Sequence, residues 1–157
     1  MGAPRPAMAF EAVFFIALVA TAVALGGALA HLFELPNKIH LSRDAYFTVQ
    51  QIYRGWNQLA YVLAVELGAI LALIVLSWAT PRLFWPALIA LGAFVGAQVV
   101  FWVYTYPANA ATNQWTTIPQ NWEALRAQWE YSHAAGALFQ LVALCALIVA
   151  MLTWARS

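Results

Sequence analysis

The fold class expected from the sequence is all-α and membrane-embedded: a four-transmembrane-helix bundle with two longer loops on one membrane face. Composition, four apolar runs and the spacing between them predict it. The 157-residue chain is 64% hydrophobic and 8% charged, against about 45–50% apolar and about 25% charged in a typical soluble domain. So few polar groups cannot cover a water-facing surface, and the expected solvent is lipid. Four runs approach the roughly 20 residues that a helix needs to cross the hydrocarbon core, at about 9–33, 57–79, 83–104 and 131–154. The second connection is a few residues around Thr80, Pro81 and Arg82, whereas the first and third are longer, so an even number of spans places both long connections on one face. No repeat or heptad pattern divides residues 1–157, which read as one domain.

The opening MGAPRPAMAFEAVFF leads into an apolar stretch longer than a signal-peptide core, so the first run is expected to be a retained span. It carries Glu11 near its start, where an interfacial position is expected. The first loop, LSRDAYFTVQQIYRGW, suits a short interfacial helix capped by Ser42, with Tyr46, Phe47 and Tyr53 at headgroup level. In the third run Gly92 and Gly96 form a GxxxG, a mark of close helix packing. Asn121 is placed to cap a last helix running unbroken from Trp122 to Trp154, too long for the hydrocarbon core alone.

Charge and cysteine content exclude several classes. The net charge of +1 lacks the basic stripe of a nucleic-acid-binding protein. The single Cys145 rules out an intramolecular disulfide or a thiol redox couple, and is expected to be a small core residue. Arg5, Arg82 and Arg156 lie on the terminal face; Lys38, Arg43, Arg54 and Arg126 lie on the loop face with Glu34, Asp44, Glu123 and Glu130. The short acid-free connections of the terminal face favour both termini in the cytoplasm of a bacterial inner membrane.

The polar residues inside the spans are the candidate site. His31 shares a helical face with Gly27, Ala24, Ala20 and Ala17, small residues that let another helix approach, so it points into the bundle. In HLFELPNKIH, His31 and Glu34 share that face, while Pro36 is expected to end the helix and leave Asn37 and His40 beyond it. On the last helix Trp122, Arg126, Trp129, His133, Gly136 and Gln140 form one stripe. Glu123 and Glu130 flank Arg126 at ion-pair spacing. Glu66 lies near the bilayer midplane, where a carboxylate costs at least a few kcal/mol unless neutral, paired or facing a polar cavity. Gln140 lies at similar depth, and Gln98 is shallower on a face with Trp102 and Thr105. These three suggest a polar shaft descending from the loop side. His31, His40 and His133 all belong to the loop side, where imidazole suits acid–base work or metal ligation. His31 and His133 with Glu34 are the candidate ligands for a transition metal, and the two histidines alone for a haem. No cofactor is favoured by any tight motif.

The strings HLFELPNKIHLSRDAYFTVQQIYRGW and YPANAATNQWTTIPQNWEALRAQWEYSHAAGA resemble those of small bacterial four-span membrane proteins of unknown function grouped with the anthrone-oxygenase-like family. The resemblance covers most of the chain. It implies a membrane-embedded oxygenase that converts a polycyclic aromatic anthrone to a quinone with dioxygen, without a cofactor. Asn121, Trp122, Arg126 and Trp129 align loosely with the enzyme-like signature, and His133 follows in the bacterial pattern.

Three functions stay open. The first is an oxidoreductase for a small apolar aromatic or quinone-like ligand. Its wall would be Trp102, Trp115, Trp122 and Trp129, with Asn121, Gln98 and Gln140 as further substrate contacts. His31 or His133 would be the base, Arg126 or an asparagine the oxyanion partner, and Glu66 a further acid–base group. The second is a non-catalytic metal- or haem-binding membrane protein. The third is a structural or assembly subunit of a larger membrane complex, or a homo-oligomer. A transporter is disfavoured by four spans without a repeat.

Overall fold

A computed structural model describes residues 5–156, with side chains from Met8 onward. Met1–Pro4, Ser157 and the side chain of Arg5 lie outside the described residues. The helices are α1 (Arg5–Lys38), α2 (Arg43–Gln50), α3 (Leu59–Ser77), α4 (Pro81–Val100), α5 (Tyr106–Ala111) and α6 (Trp122–Trp154). Single 3₁₀ turns at Gln51–Tyr53 and Trp56–Gln58 link α2 to α3, and a π-helical turn at Phe101–Thr105 joins α4 to α5. Four helical segments are long and apolar enough to cross a membrane. They pack in the cyclic order α1, α3, α4, α6. The protein is an all-α four-helix bundle with the build of an integral membrane protein.

The half of the bundle nearer the termini is apolar. Phe10, Phe14, Ile70, Leu73, Leu83, Phe94 and Leu147 interlock with alanines from all four long helices. With lipid outside there is little hydrophobic drive between helices, so small residues that permit close approach supply the packing. Phe15, Val75, Trp85 and Val99 point outward, as lipid-facing side chains do. Cys145 is also exposed. It is therefore not the core residue its apolar surroundings suggested, because α6 is apolar all round and hydropathy alone does not mark its inner face.

Two helix boundaries differ from expectation, for physical reasons. Pro36 lies inside α1 and does not break it; the helix runs to Lys38, and the Ile39 N–H still reaches the Leu35 carbonyl. The ring removes one N–H, but the turn beyond it carries Lys38, which is held inside the protein. The third membrane segment continues through the π turn to Ala111. A π turn inserts one residue and shifts the helical register. That shift breaks the face proposed for Gln98, Trp102 and Thr105. Thr105 turns inward and shares a 2.7 Å hydrogen bond with Ser132. Trp102 is 59% exposed. The Tyr104 carbonyl accepts a 2.7 Å bond from Gln128 Nε2.

The two glycines of the GxxxG are not equivalent. A Cβ on Gly96 would lie 2.7 Å from the Phe139 ring, whereas one on Gly92 would meet nothing within 4 Å. Gly96→Val is expected to destabilise the bundle by about 1–3 kcal/mol, the usual range for overpacking, and Gly92→Val to be close to neutral. Thermal melting of both variants in detergent checks this; equal losses would rule out the Phe139 contact as the cause.

Candidate functional site

The loop-side end of the bundle holds a buried cluster of charged and aromatic side chains from α1, α2, α6 and the 51–58 segment. Because α1 continues past Pro36, His31, Glu34 and Lys38 (i, i+3, i+7) lie on one face. Lys38 is 4% exposed and Glu130 wholly buried, and the Lys38 ammonium lies 3.1 Å from Glu130 Oε1. Lys38 also donates to the Tyr53 hydroxyl at 2.7 Å, which in turn donates to Glu34. Its ammonium sits 4.5 Å from the Tyr53 ring centroid and 4.6 Å from that of Trp129. The same Glu130 oxygen accepts a 2.9 Å bond from the Tyr46 hydroxyl; Glu130 Oε2 has no partner. One buried cation thus faces two carboxylates, and buried charges persist when paired and hydrogen-bonded in this way.

Beside this pair lies a box of rings. His31 stacks on His133 with centroids 4.0 Å apart and planes at 27°. Tyr53 and Trp129 pack against His31 at 4.5 and 5.0 Å, and Trp56 at 5.3 Å. His31 Nδ1 is buried without a partner. Trp129 is the hub, touching His31, His133, Tyr53 and Trp115. Asn109 Oδ1 accepts from both indoles, 2.8 Å from Trp129 Nε1 and 3.0 Å from Trp115 Nε1.

Trp115 is carried by a loop in which Asn113, Gln114 and Trp115 have φ of 46°, 57° and 61°. Left-handed backbone costs roughly 1–2 kcal/mol per non-glycine residue. Here it is held by burial of the indole and by the Gln51 amide, which donates to the Trp115 carbonyl at 2.9 Å.

Several expected roles change. Arg126 makes no ion pair with Glu123 or Glu130. It donates to the Leu41 carbonyl at 2.7 Å and lies over the Trp122 ring at 4.6 Å, because the chain between α1 and α2 brings that carbonyl within reach and Lys38 has taken Glu130. Tyr46 and Phe47 are not headgroup anchors but pack inward with Trp115, Leu125 and Trp129. Ser42 and Asn121 stand at helix starts, yet neither side chain caps. Asn121 and His40 are exposed, outside the cluster. Trp102 contacts Phe101 and Tyr106 on the outer surface and lines no inner wall.

The metal and haem assignments also change. Among the described residues no three metal-ligating side chains converge, so His31, His133 and Glu34 do not form a ligand set. Two imidazoles stacked face to face at 4.0 Å leave no room between them for an iron and its macrocycle. Glu66 and Gln140 do meet, at 3.2 Å. They lie apart from the cluster, with Gln140 seven residues, roughly 10 Å, along α6 from His133. Gln98 is half-buried and makes no hydrogen bond to Glu66.

Lys38, Tyr46, Tyr53, Trp56, Asn109 and Gln50, whose amide donates to the Tyr46 hydroxyl at 2.5 Å, are site residues that sequence reasoning missed. Lys38 was legible as i+7 from His31 and i+4 from Glu34, had the helix been carried through Pro36. Burial, together with the charge of Glu130, pushes the Tyr46 phenol well above its ordinary range; burial and the Glu34 hydrogen bond do the same for Tyr53. The folded state therefore binds more protons than the unfolded one above about pH 10, and stability falls as pH rises through that point. Of the six tyrosines, these two are expected to show phenolate absorbance only on alkaline unfolding. Their ionisation in the folded protein near pH 10 would contradict the burial.

Fold and site together define a four-span helical membrane protein with a buried ionic and aromatic centre at the loop side. The chain matches no family model, no curated protein and no solved structure.

Proposed function

We propose that the chain is a membrane-embedded oxidoreductase that oxidises a flat, apolar aromatic or quinol-like substrate at the loop-side cluster. The observation that carries the reading is His31: a buried imidazole with an unpartnered nitrogen, packed against Tyr53 and Trp129, the same two rings that the Lys38 ammonium lies over. Aromatic walls suit a planar substrate, an imidazole with a free nitrogen suits proton abstraction, and a buried ammonium suits a developing oxyanion. Lys38 takes the oxyanion role considered for Arg126: displacing Tyr53 frees the ammonium N–H that otherwise donates to its hydroxyl.

In this reading an acidic aromatic methylene beside a ring carbonyl loses a proton to His31. The carbanion combines with dioxygen and takes the proton back from His31 to give a hydroperoxide, which loses water to leave a second carbonyl. One dioxygen is consumed and one water released. The rings around His31 are in mutual contact, so the substrate enters by displacing Tyr53 and Trp56. Both belong to the 51–58 segment, where Gly55 has a φ of 90° that suits a hinge. Trp56 also borders an open surface hollow of about 520 Å³ with Arg54, Gln58 and Leu59. We place the termini on the cytoplasmic face of a bacterial inner membrane, which brings the substrate from the opposite leaflet. The support is the short connection at Thr80–Arg82 and the absence of acidic residues beside Arg82 and Arg156.

The test is dioxygen uptake by proteoliposomes given anthrone, with products followed by mass. The expected result is one dioxygen per anthrone converted to quinone, with the rate falling at least about 100-fold in His31→Gln, as for loss of a general base. No uptake above protein-free liposomes, or an unchanged rate in His31→Gln, would overturn the reading.

A further inference from the structure

Midway along α3, Glu66 is wholly buried. Gln140 of α6 donates from Nε2 to Glu66 Oε2 at 3.2 Å. From α1 the Thr21 hydroxyl faces the same carboxyl without forming a well-aligned hydrogen bond. Thr21 is wholly buried and Gln140 is 4% exposed. Three oxygens here have no partner: Glu66 Oε1, Gln140 Oε1 and Thr21 Oγ1. Each comes from a different helix.

The contrast with Glu130 is informative. Glu130 is equally buried, but its charge meets Lys38 at 3.1 Å. Only Thr21 and Gln140, both uncharged, act on Glu66. On α1, Lys38 is 17 residues beyond Thr21, about 25 Å along the axis. An ionised carboxylate this deep in a membrane bundle needs a compensating positive charge, and among the described residues no salt bridge supplies it.

We propose that Glu66, Gln140 and Thr21 form a binding site for one small monovalent cation of the Na⁺ type within the bundle. Carboxylate, amide carbonyl and hydroxyl are hard oxygen donors of the kind such ions take. A proton on Glu66 shared with Gln140 would satisfy two of the orphaned oxygens; a cation in its place would draw on the Thr21 hydroxyl, which faces the same carboxyl, as a third ligand. The charge balance selects valence, since one carboxylate neutralises a monovalent ion, whereas a divalent ion would leave a net charge in the hydrocarbon region. Water completes the coordination. Bound in this way, the ion links α1, α3 and α6 where no salt bridge does. This site lies below the loop-side cluster and does not rest on the catalytic reading.

The test is thermal melting of the purified protein in NaCl, KCl and choline chloride at matched ionic strength, with direct counting of bound ²²Na⁺. The expected result is one Na⁺ per chain and a melting temperature that rises by about 5–10 °C for a hundredfold increase in Na⁺ above its dissociation constant. The rise is expected to be smaller in KCl and absent in choline chloride. Glu66→Gln, which keeps shape and removes charge, should abolish both the shift and the ²²Na⁺ signal, and Thr21→Val should weaken both. Equal melting of the wild type in all three salts without bound ²²Na⁺ would overturn the proposal and leave Glu66 as a protonated hydrogen-bonding group. A Na⁺ shift retained in Glu66→Gln would also overturn it, by placing the ion elsewhere. Should Glu66→Gln fail to fold, ion counting on the wild type and on Thr21→Val decides the matter.

Discussion

Lys38→Met is expected to be among the most damaging single substitutions in the chain. It removes the ammonium lying 3.1 Å from Glu130 and 2.7 Å from the Tyr53 hydroxyl, while the methionine fills much of the same volume. Glu130, wholly buried, is left with Tyr46 as its only donor among the described residues. Removing one partner of a buried pair costs about 3–5 kcal/mol, because the survivor stays desolvated and uncompensated. At about 2–4 °C per kcal/mol for a chain of this size, melting is expected to fall by about 6–20 °C. Glu130→Gln alone should lose a comparable amount. The double variant, Lys38→Met with Glu130→Gln, should recover at least half of the summed loss, since no unpaired charge remains. Strict additivity of the two single losses would show that the pair is not coupled. The same comparison separates charge from shape: if Lys38→Met melted like the wild type, the ammonium would contribute nothing to the fold.

Trp129→Ala carries the second large effect. The indole is almost fully buried and touches His31, His133, Tyr53 and Trp115. Truncating a buried aromatic costs about 3–5 kcal/mol, part of it from the cavity left behind. Two further consequences follow from the geometry. The Lys38 ammonium loses one of the two rings it lies over, and Asn109 loses one of the two indole donors that it accepts. Trp129→Phe keeps the ring contact but loses the N–H, and is expected to lose only about 1 kcal/mol, the usual net worth of one hydrogen bond. Unfolding of both variants, followed by melting in detergent, checks the order Ala well below Phe. If the phenylalanine variant were as unstable as the alanine one, the Asn109 bond rather than packing would hold the hub in place.

Much of the candidate site can be read from spacing. His31 and His133 were both expected on inner faces, and the two rings do meet. The small-residue face of Ala17, Ala20 and Ala24 is buried as expected, and Glu66 finds Gln140. Helical periodicity settles such cases because inner-face position is a local property. Partner choice is not local. Glu130 was expected to pair with Arg126 on its own helix, and instead pairs with Lys38, 92 positions earlier in the chain. Tyr46 looked like a headgroup anchor because an interfacial helix and a helix folded over the bundle have the same amphipathic pattern. Trp102 was misplaced because the π turn shifts the register, and its π geometry depends on partners such as Gln128 and Ser132 on α6.

By itself the sequence determined the class of molecule, the number of long apolar helices and the end of the bundle at which the long loops meet. These depend on the free energy of transferring side chains from water to lipid and on the 1.5 Å rise of a helix, both properties of the chain read residue by residue. The tertiary structure alone decided which charges neutralise one another, that α1 continues past Pro36 to deliver Lys38, and that the tryptophans and histidines fill one another's space. Those outcomes depend on distances between segments far apart in sequence. In a low-dielectric interior, a difference of a few ångströms in such distances separates a paired charge from an orphaned one.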